Sequence, residues 1–296
     1  MRNTMSDDKM RIKIYLLFVL GVCLFLGVTA YFTQPSDKSI AYQILQKGFT
    51  AFPVVSAIMT IRITKDKTKW RFSIKVWKNP TLWIFCAFVP SILIVIGAAL
   101  FFVIFPEQYS GLFDIGSLLG TNYTIPIDNL FRFVIVCVLV SALCIPLQLL
   151  ELGEEIGWRE YLLPKQIAIY GVRKGVLLNG FYWGMAHLPL IYFGFNYSTA
   201  NAGAPWSNMF MMMMVCITLG IICAYVMIKS NNVMYCAVIH GAVNVIGEIP
   251  VFVSVSQQSG LLGPNPTGMI GMSGLFICAI IMFVQLPLLY TPKSHF

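Results

Sequence analysis

The pattern of hydrophobic and polar positions consists of long apolar segments joined by short polar connections. About eight of these segments reach roughly 20 residues, the length that an α-helix needs to cross the hydrocarbon core of a bilayer. They are Ile12–Phe32, Ile40–Ile61, Thr81–Phe105, Leu130–Leu152, Val176–Phe195, Trp206–Ile228, Val233–Val255 and Met269–Tyr290. The pattern therefore predicts an all-α polytopic membrane protein with about eight transmembrane helices.

The composition agrees with this prediction and excludes other classes of protein. Hydrophobic residues make up 58% of the chain and charged residues 11%, against about 45–50% and about 25% in soluble globular proteins. The net charge of +8 does not indicate a nucleic-acid binder, because no folded polar domain carries it. All eight cysteines lie in apolar segments without a C-x-x-C pair, so we expect reduced, packed thiols.

The distribution of Lys and Arg predicts the orientation in the membrane, because cytoplasmic connections carry an excess of these residues. Basic residues concentrate before the first segment, in the connection 62–78 and between residues 159 and 174. Placing these on the cytoplasmic side, together with Lys229 and Lys293, leaves only Lys38, Lys47 and Arg132 on the other side. We therefore expect both termini in the cytoplasm and a multi-pass protein of the plasma membrane.

Ionisable and polar side chains at membrane depth are costly and usually functional, and here they occur in three places. Those places are the segment Glu151–Glu160, the pair Trp183 and His187, and His240 with Asn244 followed one turn later by Glu248. A rise of about 1.5 Å per residue puts the three places at a similar depth, roughly 12–20 Å from the cytoplasmic helix ends. We expect them to form one site that opens toward the cytoplasm.

Each polar group also has a purely structural interpretation. Glu155 and Arg159 are four residues apart, so they share a helical face and could form a structural ion pair. A single membrane histidine is more often packed and hydrogen-bonded than catalytic, and Asn244 could bridge two helices. The functional interpretation rests on the whole set lying at one depth.

The three motifs together resemble those of the CPBP family of intramembrane proteases. They read Glu154-Glu155-x-x-x-Arg159, then Trp183-x-x-x-His187, then His240-x-x-x-Asn244. This family includes the type II CAAX prenyl endopeptidases and the bacterial Abi proteins, which act in bacteriocin processing or bacteriocin immunity. The chain departs from the usual pattern at Trp183, where most members have Phe, and at Glu160, where many have Gly.

The resemblance implies a domain organisation, an activity and residue roles. Residues 1–120 would form three N-terminal transmembrane helices with the basic connection 62–78, and residues 121–296 the catalytic helical core. The activity would be hydrolysis of a peptide bond in a membrane-associated protein or peptide. The implied roles are Glu154 with His187 activating water, Arg159 orienting Glu155, His240 and Asn244 donating to the oxyanion, and Trp183 lining the substrate site.

The resemblance does not decide whether the protein binds a metal ion or which class of function it has. The family is often labelled metalloprotease, and Glu154, His187 and His240 could bind zinc, but the chain has no H-E-x-x-H motif and Asn is a poor zinc ligand. We expect no cofactor, and as partners the lipid bilayer and a membrane-embedded peptide or protein substrate, without nucleic acid. The alternatives are a proton-coupled transporter and a non-proteolytic bacteriocin-immunity or scaffold protein.

Overall fold

The computed structural model describes residues 4–33, 40–116, 121–256 and 260–290, and these residues are predominantly α-helical, as predicted. The predicted division after residue 120 and the two chain termini lie outside these ranges. The helices are α1 Thr4–Thr33, α2 Ile40–Thr64, α3 Pro80–Ile104, α4 Leu130–Leu143, α5 Ile145–Leu150, α6 Leu152–Glu155, a π-helix Ile156–Leu162, α7 Leu163–Tyr170, α8 Val172–Tyr192, α9 Trp206–Ser230, α10 Met234–Gly247, α11 Ile249–Phe252 and α12 Ser273–Leu289. Short 3₁₀ turns form at Val76–Lys78 and Pro106–Gln108, and strands β1 Leu112–Phe113 and β2 Ile125–Pro126 pair antiparallel.

Four helical segments of the described residues are long and apolar enough to cross a membrane. They are Met5–Phe32, Pro80–Ile104, Trp206–Ser230 and Met234–Phe252. The segments Leu130–Leu143 and Gln148–Tyr170 qualify together as a fifth span, bent by 43°. Gly48–Thr64 and Ser273–Leu289 are shorter apolar helices. The described part of the chain thus supports an integral membrane protein, and the number of eight spans stays a prediction.

The fourth predicted segment, Leu130–Leu152, is not one continuous helix, and this expectation was wrong. α4 ends at Leu143, because Cys144 adopts non-helical torsions of φ −78° and ψ 65°. Pro146 follows in the first turn of α5 and has no N–H to continue the backbone ladder. The Gln148 side chain instead donates hydrogen bonds to the carbonyl oxygens of Ser141 and Ala142, so the break leaves these two groups satisfied.

The break is also connected to the neighbouring helices. The Ser141 hydroxyl donates to the carbonyl of Ala242 in α10 and lies 2.8 Å from the hydroxyl of Ser91 in α3. α8 and α9 pack antiparallel along a separate close seam, where a Cβ added at Gly180 would lie 2.8 Å from the Cα of Ile217. These contacts fix the helices that carry the three polar motifs.

A polar cluster joins α1, the connection 62–78 and α7 at one end of the molecule, called here the basic end. The Asp66 carboxylate lies 3.0 Å from Lys165 Nζ and 3.6 Å from Arg11 Nε, and it accepts a hydrogen bond from Thr68. Nearby, the backbone N–H of Arg71 donates to the Glu160 carboxylate. The three most basic parts of the sequence are therefore at the same end of the bundle.

From this cluster we expect the protein to lose stability in acid, because Asp66 becomes protonated. Burial tends to raise the pKa of this carboxyl, but the charge and hydrogen bond of Lys165, the hydrogen bond of Thr68 and the charge of Arg11 outweigh burial, so the pKa lies below its ordinary value. The ionised form is therefore favoured by folding. Asp66→Asn should lower the free energy of unfolding at neutral pH by about 1 kcal/mol, as for partly solvated pairs.

The pH range of this effect follows from the direction of the shift. The contribution of Asp66 is complete above its unfolded-state pKa of about 4 and disappears as the pH falls through the lower folded-state value. Thermal melting of the detergent-solubilised protein at several pH values measures it. The exposed Asp128 supplies the control variant Asp128→Asn. An Asp66→Asn difference in Tm that stays the same from pH 7 to pH 3 would contradict the prediction.

Candidate active site

The three sequence motifs meet around one cavity of about 970 Å³. Its lining includes the side chains of Glu154, Trp183, His187, His240 and Asn244. Glu155 and Arg159 do not line it and lie fully buried behind this surface. The structure therefore brings all seven predicted residues together in two layers, with five at the cavity and two supporting them.

Glu154 is held at the floor of the cavity by Trp183. The indole Nε1–H donates a hydrogen bond of 2.7 Å to Glu154 Oε2, and both residues are buried. The indole nitrogen can only donate a hydrogen bond, so its partner must be an acceptor such as a carboxylate oxygen. A Phe at this position, as in most members of the CPBP family, would pack in the same place without supplying that donor.

A chain of charged groups runs from the interior to the cavity through Glu155. Arg159 Nε lies 3.4 Å from Glu155 Oε2, and both side chains are completely inaccessible to solvent. The other carboxylate oxygen of Glu155 accepts a hydrogen bond of 2.9 Å from His240 Nδ1. The guanidinium carbon of Arg159 also lies 4.1 Å from the centre of the Trp183 ring, a favourable cation–π distance.

His187 is oriented from its own helix. Its Nδ1 lies 2.9 Å from the carbonyl oxygen of Trp183, and since that oxygen can only accept, Nδ1 carries the proton. A neutral ring with this tautomer presents Nε2 as a hydrogen-bond acceptor. Phe49 of α2 packs against the imidazole with ring centres 4.9 Å apart, so the ring is held from two sides.

α10 presents three polar side chains to the cavity at successive turns. His240 is the deepest and is buried, whereas Asn244 and Glu248 are exposed to the cavity space. At a rise of about 1.5 Å per residue, Glu248 lies about 12 Å along the helix from His240. The cavity therefore extends from mid-helix to the C-terminal end of α10.

Glu151 is a residue of the site to which sequence reasoning gave no role. Its Oε2 lies 3.9 Å from His240 Nε2, and its side chain lines the cavity. Glu151 precedes Glu154 by three residues, a spacing that puts both on one helical face. That spacing was the available signal, but the predicted continuous helix gave no reason to orient Glu151 toward His240.

The cavity lining extends along the helices from Glu154 toward later connections of the chain. The lining continues to Tyr31 at the end of α1, Phe193 after α8, and Thr199 and Thr267 in later connections. These positions are far from the basic end. The lining thus extends toward the helix ends that are remote from the basic end, and the opening of the site toward the cytoplasm stays a prediction.

The segment that follows Glu155 is packed against α1. Trp158, Arg159 and Tyr161 have no exposed surface. The ring of Tyr15 from α1 lies 5.6 Å from Trp158 and 5.5 Å from Tyr161. The helical rise predicts how deep a residue lies along its own helix, but it does not predict how side chains of neighbouring helices pack around that residue.

The arrangement does not fit the zinc site considered as an alternative. In the part of the chain that the structure describes, no group of three or more His, Cys, Asp or Glu side chains is placed to hold a metal ion. Glu154, His187 and His240 border one cavity without forming a ligand set.

In a comparison with protein-family models, residues 128–246 match the family described as type II CAAX prenyl endopeptidase Rce1-like. This part of the chain is similar to the Rce1-like family. The Rce1-like segment begins just before α4 and ends in α10, so it contains all three motifs. The match supports a general activity for the protein, that of a hydrolase of the intramembrane protease class. A search of the curated proteins finds no match.

Proposed function

We propose that the protein is an intramembrane endopeptidase in which Glu154 activates the water that hydrolyses the peptide bond. The observation that carries this proposal is the buried Glu154 carboxylate, fixed by Trp183 at the floor of a cavity that His187 and His240 also line. The substrate is a membrane-associated protein or peptide. The protein lies in the plasma membrane with about eight spans and both termini in the cytoplasm.

Hydrolysis requires a base that takes a proton from water as the water oxygen attacks the carbonyl carbon. Glu154 accepts that proton, while His187 holds the water through Nε2. When the carbon–nitrogen bond breaks, the same proton passes from Glu154 to the leaving nitrogen. The first products are a carboxylic acid and an amine, and transfer of the acid proton to the amine gives a carboxylate and an ammonium group, with Glu154 ionised again.

Attack on the carbonyl also creates an oxyanion, which is stabilised by hydrogen-bond donors. Asn244 supplies its side-chain amide. His240 already donates at Nδ1 to Glu155, so it can donate at Nε2 only as an imidazolium ion. Glu155 and Glu151 stabilise that positive ring from its two sides. A donor of this kind contributes about 3–4 kcal/mol to transition-state stabilisation in other hydrolases.

The proposal needs no metal ion, and a cleavage assay with a chelator tests both parts of it. The purified, detergent-solubilised protein is incubated with a pool of internally quenched peptides of varied sequence. We expect fluorescence to increase at the same rate with and without a zinc chelator, because the chemistry uses side chains alone.

Two results would contradict this proposal in different ways. Turnover that disappears with chelator and returns when zinc is added would overturn the metal-free mechanism while keeping the protease. No turnover of any peptide by folded protein would favour the non-proteolytic scaffold or the transporter. Addition of the chelator to a soluble zinc protease in the same detergent controls for effective metal removal.

A further inference from the structure

We propose that the connection 62–78 binds anionic phospholipids at the bilayer surface beside the basic end. The ligand is a lipid with a negatively charged headgroup, recognised by lysine side chains and by the apolar side chains next to them. The connection does not contribute to the lining of the cavity, so the proposal does not depend on the protease function.

The connection carries positive charge that no carboxylate of its own neutralises. Its basic residues are Arg62, Lys65, Lys67, Lys69, Arg71, Lys75 and Lys78. Its acidic residue, Asp66, is already paired with Lys165 and Arg11 from other elements. The five lysines are exposed, and among the described residues none of them pairs with a carboxylate. A group of about four to eight basic residues beside a transmembrane helix is typical of anionic-lipid binding.

The first half of the connection turns its lysines outward in a regular alternation. Asp66 and Thr68 face the protein, where Lys165 Nζ lies 3.0 Å from the Asp66 carboxylate and donates to the Thr68 hydroxyl. Lys67 and Lys69 alternate with them and are exposed. In an extended chain successive side chains point to opposite sides, so the inward contacts fix the outward direction of the lysines.

The second half of the connection is fixed to the start of α10. Ser73 accepts a hydrogen bond at its carbonyl oxygen from the Asn232 amide and donates from its backbone N–H to the Asn232 side-chain oxygen. The Tyr235 hydroxyl donates to the carbonyl oxygen of Val76. A surface held in this way loses little conformational freedom when it binds a ligand.

Apolar side chains are exposed among the same lysines. Trp70, Phe72, Ile74 and Trp77 are between 44% and 64% exposed. Tryptophan is enriched at the level of the lipid headgroups, and basic surfaces with Trp and Phe bind in that layer through both charge and apolar area. A purely solvated basic connection has no need of these four side chains.

The position of the connection in the fold places it beside the bilayer. α3 begins at Pro80, directly after the connection, and Pro80–Ile104 is long and apolar enough to cross a membrane. The end of the connection is therefore close to the level at which this span enters the bilayer. A lysine there can leave its aliphatic stem with apolar groups while its ammonium group reaches a lipid phosphate. The combination favours a lipid over a soluble acidic protein as the partner.

Quenching of tryptophan fluorescence by brominated lipids tests the proposal on the full chain in phosphatidylcholine nanodiscs. A small fixed fraction of the lipid is brominated phosphatidylglycerol or, in a parallel sample, brominated phosphatidylcholine with the same acyl chains. The difference between the wild type and Trp77→Phe gives the signal of Trp77. We expect phosphatidylglycerol to be preferred at Trp77 by at least about fivefold, since each lysine near an anionic surface contributes a factor of about 5.

Trp206 supplies a matched control within the same protein. It is exposed at the start of α9, whereas the other end of α9 meets the connection, where Arg71 donates to the Asn231 side chain. About 25 residues of helix, or roughly 36 Å, separate the two ends. The difference between the wild type and Trp206→Phe should therefore show equal quenching by the two brominated lipids.

Two charge variants separate the connection from the net charge of the protein. The first replaces lysines of the connection: Lys67→Gln, Lys69→Gln and Lys75→Gln. The second replaces the same number of exposed lysines in α1 and α8: Lys9→Gln, Lys13→Gln and Lys174→Gln. The lipid preference at Trp77 should fall to nearly none in the first variant and in high salt, and it should persist in the second variant.

Three results would overturn the proposal. Equal quenching of Trp77 by the two lipids would mean that the connection touches the bilayer without selecting charge. No quenching of Trp77 by either lipid would place the connection away from the bilayer and favour a soluble acidic partner. A preference that persists in the first variant, or is lost equally in both variants, would mean that the lysines of the connection are not the binding groups.

Discussion

Replacing Glu154 with glutamine is expected to remove peptide turnover almost completely while the protein folds normally. The glutamine carbonyl oxygen can still accept the hydrogen bond from Trp183 Nε1 that Glu154 Oε2 accepts, so packing is preserved. The amide cannot take a proton from water, and a general base contributes about 10²–10⁴-fold to rate. Turnover of a quenched peptide is measured beside the Tm of the solubilised variant.

Glu248→Gln is the matched control for this experiment. Glu248 lines the same cavity but lies one helical turn beyond Asn244 and two beyond His240, so the identical chemical change there should leave turnover close to that of the wild type. A Glu154→Gln variant that keeps substantial turnover would show that another group activates the water. Equal losses in the two variants would indicate a general effect of charge in the cavity.

Replacing Arg159 with alanine is expected to cost stability as well as activity. Arg159 is completely buried and lies 3.4 Å from Glu155, so the substitution breaks a buried ion pair and leaves this carboxylate with His240 as its one remaining cationic neighbour among the described residues. Breaking such a pair costs about 3–5 kcal/mol, which corresponds to a lowering of Tm on the order of 10 °C. Activity falls too, because Glu155 no longer holds His240 in place through their hydrogen bond.

The control for Arg159→Ala is Arg173→Ala, which removes an exposed guanidinium at the start of α8. Its Tm should stay close to that of the wild type, because exposed pairs contribute about 1 kcal/mol or less. Both Tm and turnover are measured for each variant. An unchanged Tm for Arg159→Ala would mean that Glu155 does not depend on this cation.

Helix positions could be predicted closely wherever an apolar segment has polar ends. The predicted Thr81–Phe105 corresponds to α3 at Pro80–Ile104, and Trp206–Ile228 corresponds to α9 at Trp206–Ser230. In these segments length and hydrophobicity are sufficient, since a bilayer requires internally bonded helices. The break at Cys144 could not be predicted in this way, because it depends on Gln148 satisfying the carbonyls that the break releases.

The residues that form the site could be predicted better than the contacts between them. Helical spacing placed Glu154, His187 and His240 at a common depth. The hydrogen bond between His240 and Glu155 joins residues 85 positions apart, and the helical period within one segment says nothing about such a contact. The packing of Trp158 and Tyr161 against Tyr15 of α1 likewise joins distant segments, and only the packed structure reveals it.

The depth of the cavity sets a minimum length for the part of a substrate that must be unfolded. His240 lies about 12 Å below Glu248 along α10, and an extended peptide advances about 3.3 Å per residue. A chain reaching from the level of Glu248 to that of His240 therefore needs about four extended residues. Under the proposed function, cleavage is limited to bonds at least that far from a folded domain, so a compact protein is protected unless it carries a flexible tether.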